Sequence, residues 1–147
     1  MIAGLDPGRS KCGLVLADLA QGRILEAAIL PPEASQNLLA RWRERGLTAV
    51  VIGNGTGSRA WGARLAPLQL QQIPVDERGS TLAARERYWE LFPPGRWLRL
   101  LPAGLRLPPR DIDDVVAQLL VERHSGLQLG RDTPELLRDW PRSEPAP

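Results

Sequence analysis

The sequence predicts one α/β domain, built on a mixed five-stranded sheet (three antiparallel strands, then two parallel ones) flanked by helices. Three observations predict it. The chain opens with three short apolar runs joined by tight turns, and strand-like and helix-like periods alternate after them. Its 147 residues are enough for one domain and too few for two. The domain is expected over residues 1–130, with 131–147 as a peripheral tail of prolines and charges.

Residues 1–6 read as an apolar strand ending in the Asp6 carboxylate, and Pro7-Gly8 turns the chain. Residues 12–18 and 23–30 read as the next two strands, separated at Gln21-Gly22. Pro31-Pro32 closes this meander. Ala34, Leu38, Leu39 and Trp42 then recur at helical spacing over 33–45, with Gly46 as a C-cap. The apolar, β-branched run 48–52 reads as a buried strand. Residues 59–68 suit a short helix, and 72–77 suit another strand, in which alternation puts Ile73, Val75 and Glu77 on one face. Ser80 is an N-cap candidate for a helix over 81–91. Five prolines make 92–110 an irregular connector. Residues 111–124 read as an amphipathic helix followed by Gly126. This chain order is that of the ribonuclease H-like fold, although order alone leaves it one candidate among several.

At 43% apolar and 24% charged residues, the composition is globular, and no run of 18 apolar residues is present to form a membrane span. The N-terminus has no basic and apolar leader, and the lone Cys12 allows neither an internal disulfide nor a cysteine zinc cluster. A cytoplasmic location is expected. Of the 19 basic residues, 18 are arginines and one is Lys11. That excess suits a polyanionic partner, but coding bias in a GC-rich genome is the better account of it.

Four polar segments sit at predicted strand ends or helix starts. In Asp6-Pro7-Gly8-Arg9-Ser10-Lys11, a strand-end carboxylate can hold Mg²⁺ or Mn²⁺ beside a glycine turn that admits phosphate; it can also be an Asx-turn closing a hairpin. The Gly53-Asn54-Gly55-Thr56-Gly57-Ser58 run suits a loop near phosphate or sugar, or a plain connection. It is not a P-loop, because no Gly-Lys-Ser/Thr follows. In Asp76-Glu77-Arg78, the acids form an ion pair or supply a metal ligand. Asp111-Ile112-Asp113-Asp114 opens a helix, where the dipole favours acids in any case. On a helical wheel Ile112, Val115, Val116 and Leu119 form the buried stripe. Asp113 lies at its edge, and Asp114 points away towards solvent. Together these segments bring acids from a first strand, a later strand and a helix start, the supply that a two-metal phosphodiester-cleaving site needs.

Gly4 to Gly13, the Val-Val-Ile-Gly-Asn run at 50–54, Asp76-Glu77-Arg78-Gly79-Ser80-Thr81 with Ala84-Arg85, and Asp113-Asp114-Val115-Val116-Ala117 resemble the YqgF/RuvX family, RuvC-like members of the ribonuclease H-like superfamily. The similarity spans about residues 2–125. It implies a hydrolase with Asp6, Glu77 and a helix aspartate as its acidic triad. Spacing to Ala117 and Glu122 favours Asp113 as that aspartate, with Asp114 a close second. Members carry a Leu-Pro-like pair where this chain has Asn54-Gly55, and 92–110 is richer in Pro and Arg, so the chain resembles a divergent branch.

The resemblance implies two Mg²⁺ or Mn²⁺ ions, one held by Asp6 and Glu77 and the other by Asp6 and Asp113. Its substrate is the 5′ region of precursor 16S ribosomal RNA, reached in ribosomal precursor particles, or else the Holliday junction. An RNA trimmer can be a monomer, whereas a junction resolvase should be a homodimer. Arg9, Ser10, Lys11, Asn54, Thr56, Ser58, Arg59 and Arg78 are the candidate substrate contacts. Trp61 stands among Arg59 and Arg64 and either stacks on a base or packs internally. Two other classes compete: a non-catalytic nucleic-acid scaffold, and a nucleotide-binding module of the actin-like type, which needs two such domains.

Overall fold

The structure, a computed structural model, describes residues 1–55, 57–132 and 135–138. Three strands open it: β1 (Ile2–Asp6), β2 (Cys12–Asp18) and β3 (Arg23–Leu30). Then come helix α1 (Pro32–Glu44), β4 (Ala49–Gly53), α2 (Ser58–Leu65), β5 (Gln71–Val75), α3 (Ser80–Leu91), α4 (Asp113–Ser125) and β6 (Gly130–Arg131). The sheet order is β5-β4-β1-β2-β3-β6. Strands β1, β2 and β3 pair antiparallel, while β4 runs parallel to β1 and β5 parallel to β4. The expected mixed α/β sheet is present with one strand more than predicted. Gly130–Arg131 pairs with β3, and a two-residue strand has no periodicity by which a sequence could announce it. Leu137 adds an isolated bridge to Ala28.

Alternation along the strands makes two cores. Leu5, Leu14, Leu16, Val50 and Ile52 face α1 and α2, where Trp42, Trp61 and Leu65 cover them. Ile2, Val15, Ala17 and Val51 face α4, and α3 packs outside α4 through Ala84, Tyr88, Val115 and Val116. Helix α4 is therefore covered on nearly every side. Asp114 to Gln118 and Leu120 to Glu122 are buried, which corrects the amphipathic reading of this segment. The polar members of that run find partners at a distance, Gln118 through its amide N–H to the Leu129 carbonyl at 3.1 Å. Glu122 accepts from Arg87 at 3.0 and 2.9 Å and from the Leu129 backbone N–H at 2.9 Å. Among the described residues, no helix is long and apolar enough to cross a membrane.

The approach of α4 to the sheet depends on missing side chains. A Cβ at Gly4 would strike the Ala117 carbonyl, and one at Gly13 would strike the Asp113 carbonyl. Gly13→Ala is therefore expected to lose at least about 1–3 kcal/mol, the cost of overpacking against immobile backbone. Gly95→Ala, where a Cβ meets nothing within 4 Å, should be near neutral. Urea denaturation of the two variants beside the parent checks the contrast.

Candidate metal-binding acidic cleft

Asp6 ends β1 opposite Gly13, on the face that looks at α4. The strand on its other side ends in Gly53, one residue past the Leu5–Ile52 pair. Each flanking strand thus puts a glycine beside Asp6. Gly13 makes room for the start of α4, which carries Asp113. Gly53 makes room for Glu77, whose carboxylate lies where a Cβ would be, and the carboxylate also fills the space above Gly55. Gly53 and Gly55 are thus the space that Glu77 uses.

Glu77 reaches this place from a loop, not from a strand. The β5 ladder stops at Val75, so the period-two argument that aligned Glu77 with Ile73 and Val75 does not apply. The chain turns through Asp76 and Arg78, and the Ser80 backbone N–H donates to the Glu77 carbonyl at 3.0 Å. Gly79 precedes α3 with φ 67°, a conformation that suits glycine, and Ser80 is the first buried helical residue instead of the N-cap. Arg123 braces the turn from α4, donating to the carbonyls of Asp76 (2.9 Å) and Arg78 (3.2 Å).

The result is a cleft of about 260 Å³ lined by Asp6, Pro7, Gly57, Glu77, Ser80, Thr81 and Val116. Burial, then the charge of Asp113, then that of Glu77, push the Asp6 carboxyl up from 3.8 to about 7. Two like charges beside a half-buried acid make a site that attracts positive charge. Lys11 ion-pairs with Asp111 at 2.6 Å and lies 3.6 Å from Asp113. Its ammonium is held above its usual range, chiefly by the hydrogen bond to Asp111.

The remaining predicted contacts are dispersed. Arg9, Ser10, Asn54 and Arg59 are exposed around the cleft's loops. Arg78 is exposed and paired with Asp76 at 2.8 Å, which holds the Asp76 carboxyl below its usual range. The Ser58 hydroxyl donates to the Gly55 carbonyl at 2.8 Å and so holds the loop itself. Thr56 lies outside the described residues.

Two expectations are corrected. Asp114 is fully buried between Arg110 and Arg131 and does not point to solvent. Trp61 is 3% exposed, packed in the core beneath α2 with Arg64 over its ring, so no base can reach it. Among the described residues the tryptophan in solvent is Trp97, at 81% exposure. Its Arg-Trp-Leu-Arg context between prolines is the signal that sequence reading passed over.

No protein-family profile matches the chain, and the curated proteins contain no match. Among solved structures, T. thermophilus RuvC in complex with Holliday junction substrate aligns with 87% of this chain and 98% of its own, at 16% identity and TM-score 0.50. The fold is ribonuclease H-like. Its first ribonuclease H-like strand carries Asp6, and the helix that closes the sheet carries Asp113.

The acids suit hard divalent ions, which take oxygen ligands and are often held by one or two carboxylates, with water and phosphate completing the shell. Among the described residues, no three His, Cys, Asp or Glu side chains are gathered tightly enough to grip one ion by themselves. Asp6 between two acids fits pairwise holding, with Asp6 as the shared donor.

Proposed function

We propose that this chain is a divalent-metal-dependent nuclease that hydrolyses phosphodiester bonds in RNA, with the 5′ region of precursor 16S ribosomal RNA as its substrate. The observation that carries the proposal is the placement of Asp6. A half-buried carboxylate between Asp113 and Glu77, opening into a cleft, bears its negative charge at a cost that a bound cation would relieve. Asp6 and Glu77 would hold one ion, Asp6 and Asp113 the other. When bound, Mg²⁺ or Mn²⁺ supplies Lewis acidity towards water and the scissile phosphate.

The chain's own groups do the rest. Lys11 fixes the start of α4 through Asp111 and Asp113 and adds positive charge at the cleft mouth. Arg9 and Arg78 are exposed on the two turns that border the cleft and would offset phosphate charge. In this reading the nuclease domain is the sheet from β1 to β6 with its helices, acting as a monomer in the cytoplasm on ribosomal precursor particles. The resemblance to the YqgF/RuvX family fits precursor ribosomal RNA and the Holliday junction alike, and the exposed Trp97 ring, on which an unpaired base can stack, supports RNA. A second reading, resolution of branched DNA by a homodimer, draws support from the RuvC structure, which is in complex with Holliday junction substrate.

Cleavage assays with Mg²⁺ or Mn²⁺ test both readings, setting single-stranded RNA beside a four-way DNA junction, with wild type and Asp6→Asn. RNA cut, junction intact and the variant inactive is the expected result. Paired symmetric nicks in the junction alone would establish the second reading. Undiminished cleavage by Asp6→Asn would remove this cleft from the chemistry. RNA bound equally with and without divalent ion, and never cut, would indicate a scaffold.

A further inference from the structure

The connector from α3 to α4 is built to hold a surface out into solvent. From Phe92 to Arg110 it contains four arginines and no acid. The rest of the chain, with fifteen basic against seventeen acidic residues, is net negative, so the positive excess of the protein resides in this segment. The segment is also the most apolar exposed surface described: Trp97, Leu100, Leu105 and Leu107 are 81, 76, 66 and 67% exposed.

It holds its own shape. Arg106 donates to the carbonyls of Leu98, Leu101 and Arg99 at 2.9–3.0 Å, and Arg99 donates to that of Pro94 at 3.1 Å. The Trp89 indole N–H anchors the loop to α3 through the Arg106 carbonyl at 3.0 Å. Two short 3₁₀ turns, Leu98–Leu100 and Ala103–Leu105, lie within this frame. The loop then runs into Asp111, which Lys11 ties to the turn after β1.

We infer that this loop is a stacking platform for single-stranded nucleic acid, with Trp97 as the base-stacking residue and Arg96 as its phosphate contact. A flat aromatic ring beside arginines and free of acids matches a chain of apolar base faces strung on phosphates. A second copy docking through the same surface would set the exposed Arg96 and Arg99 against their own copies with no acid between them, which disfavours that partner on charge. The inference rests on the nuclease reading only for its purpose, which is to hold the strand that leads into the acidic cleft.

The test is fluorescence anisotropy with labelled oligonucleotides of about twelve nucleotides, RNA in one arm and DNA in the other, in EDTA so that no cleavage occurs. Trp97→Ala is expected to weaken single-strand binding about tenfold or more, with binding of the matching duplex unchanged. Trp97→Leu should lose as much, and Trp97→Phe should retain most of the affinity. Arg96→Ala should lower the salt slope by about 0.7. Trp97 is solvent-exposed, so melting curves should coincide for all four variants. Equal affinity of wild type and Trp97→Ala overturns the platform and gives the surface to an acidic protein partner, as does full binding by Trp97→Leu. Trp97-dependent binding in a protein that cleaves nothing upholds the platform and removes the nuclease reading. Cleavage with binding indifferent to Trp97 does the reverse.

Discussion

Asp6→Asn is expected to melt about 5 °C or more above wild type at pH 8 in the absence of metal, while losing any cleavage that the proposed site supports. The folded Asp6 carboxyl, at about 7, lies above the 3.8 of an unhindered aspartate. Between those pH values the native state holds a proton that the unfolded chain has released, so stability falls as pH rises through the window. The full penalty is present above pH 7. Its ceiling is about 4 kcal/mol, lowered by water reaching a carboxylate at the cleft mouth. Asparagine carries no charge to be penalised, and one kilocalorie corresponds to about 2–4 °C in a chain of this size. At pH 4 the two proteins should melt alike. Saturating Mg²⁺ at pH 8 should raise wild type by mass action and leave Asp6→Asn unmoved. Differential scanning fluorimetry across pH, with and without Mg²⁺, reads all of these. A wild type that gains stability from pH 5 to pH 8 relative to Asp6→Asn would contradict the crowded carboxylate.

The largest loss of stability is expected at Asp114. Its carboxylate has no exposure and takes Arg110 in a bidentate pair (2.7 and 3.2 Å) and Arg131 at 2.7 Å. The Arg131 side chain is itself 2% exposed. Asp114→Asn leaves two guanidinium groups in the interior without their counter-charge, a change that costs about 3–5 kcal/mol when one partner of a buried pair is removed. A fall in melting temperature of about 10 °C is expected. A double-mutant cycle of Asp114→Asn with Arg131→Met should give a coupling of at least about 1 kcal/mol, because the second change removes a charge that the first has stranded. A melting temperature unchanged in Asp114→Asn would return Asp114 to the solvent-facing position that its wheel predicted.

Strands β2 and β3 were legible to the residue and β1 to within one, because Pro7-Gly8, Gln21-Gly22 and Pro31-Pro32 mark their ends locally. The order of elements, and with it the fold, followed from the same local signals. Helix α4 was located but misjudged in environment. Its acids are buried by arginines at 87, 110 and 131, and pairing over such distances leaves no local pattern. The gathering of Asp6, Asp113 and Glu77 was suggested by residue type. The means of gathering them, a glycine on each strand beside Asp6, emerges only from register. Trp61 was singled out for its neighbours in sequence, yet it faces the α1–α2 core, while Trp97 sits in a segment whose prolines conceal any period.

Because α4 rests on Gly4 and Gly13, the distance from the sheet to Asp113 is set by main chain against main chain, not by the size of any core side chain. Such a spacing behaves as a mechanical datum. Substitutions elsewhere in the core can drift in volume without moving it, as long as the two bare positions stay bare. For an engineer, the separation of the carboxylates is then insulated from stabilising changes to the apolar interior. A library that fills cavities and optimises packing can be pursued aggressively, with Gly4 and Gly13 as the reference points left untouched.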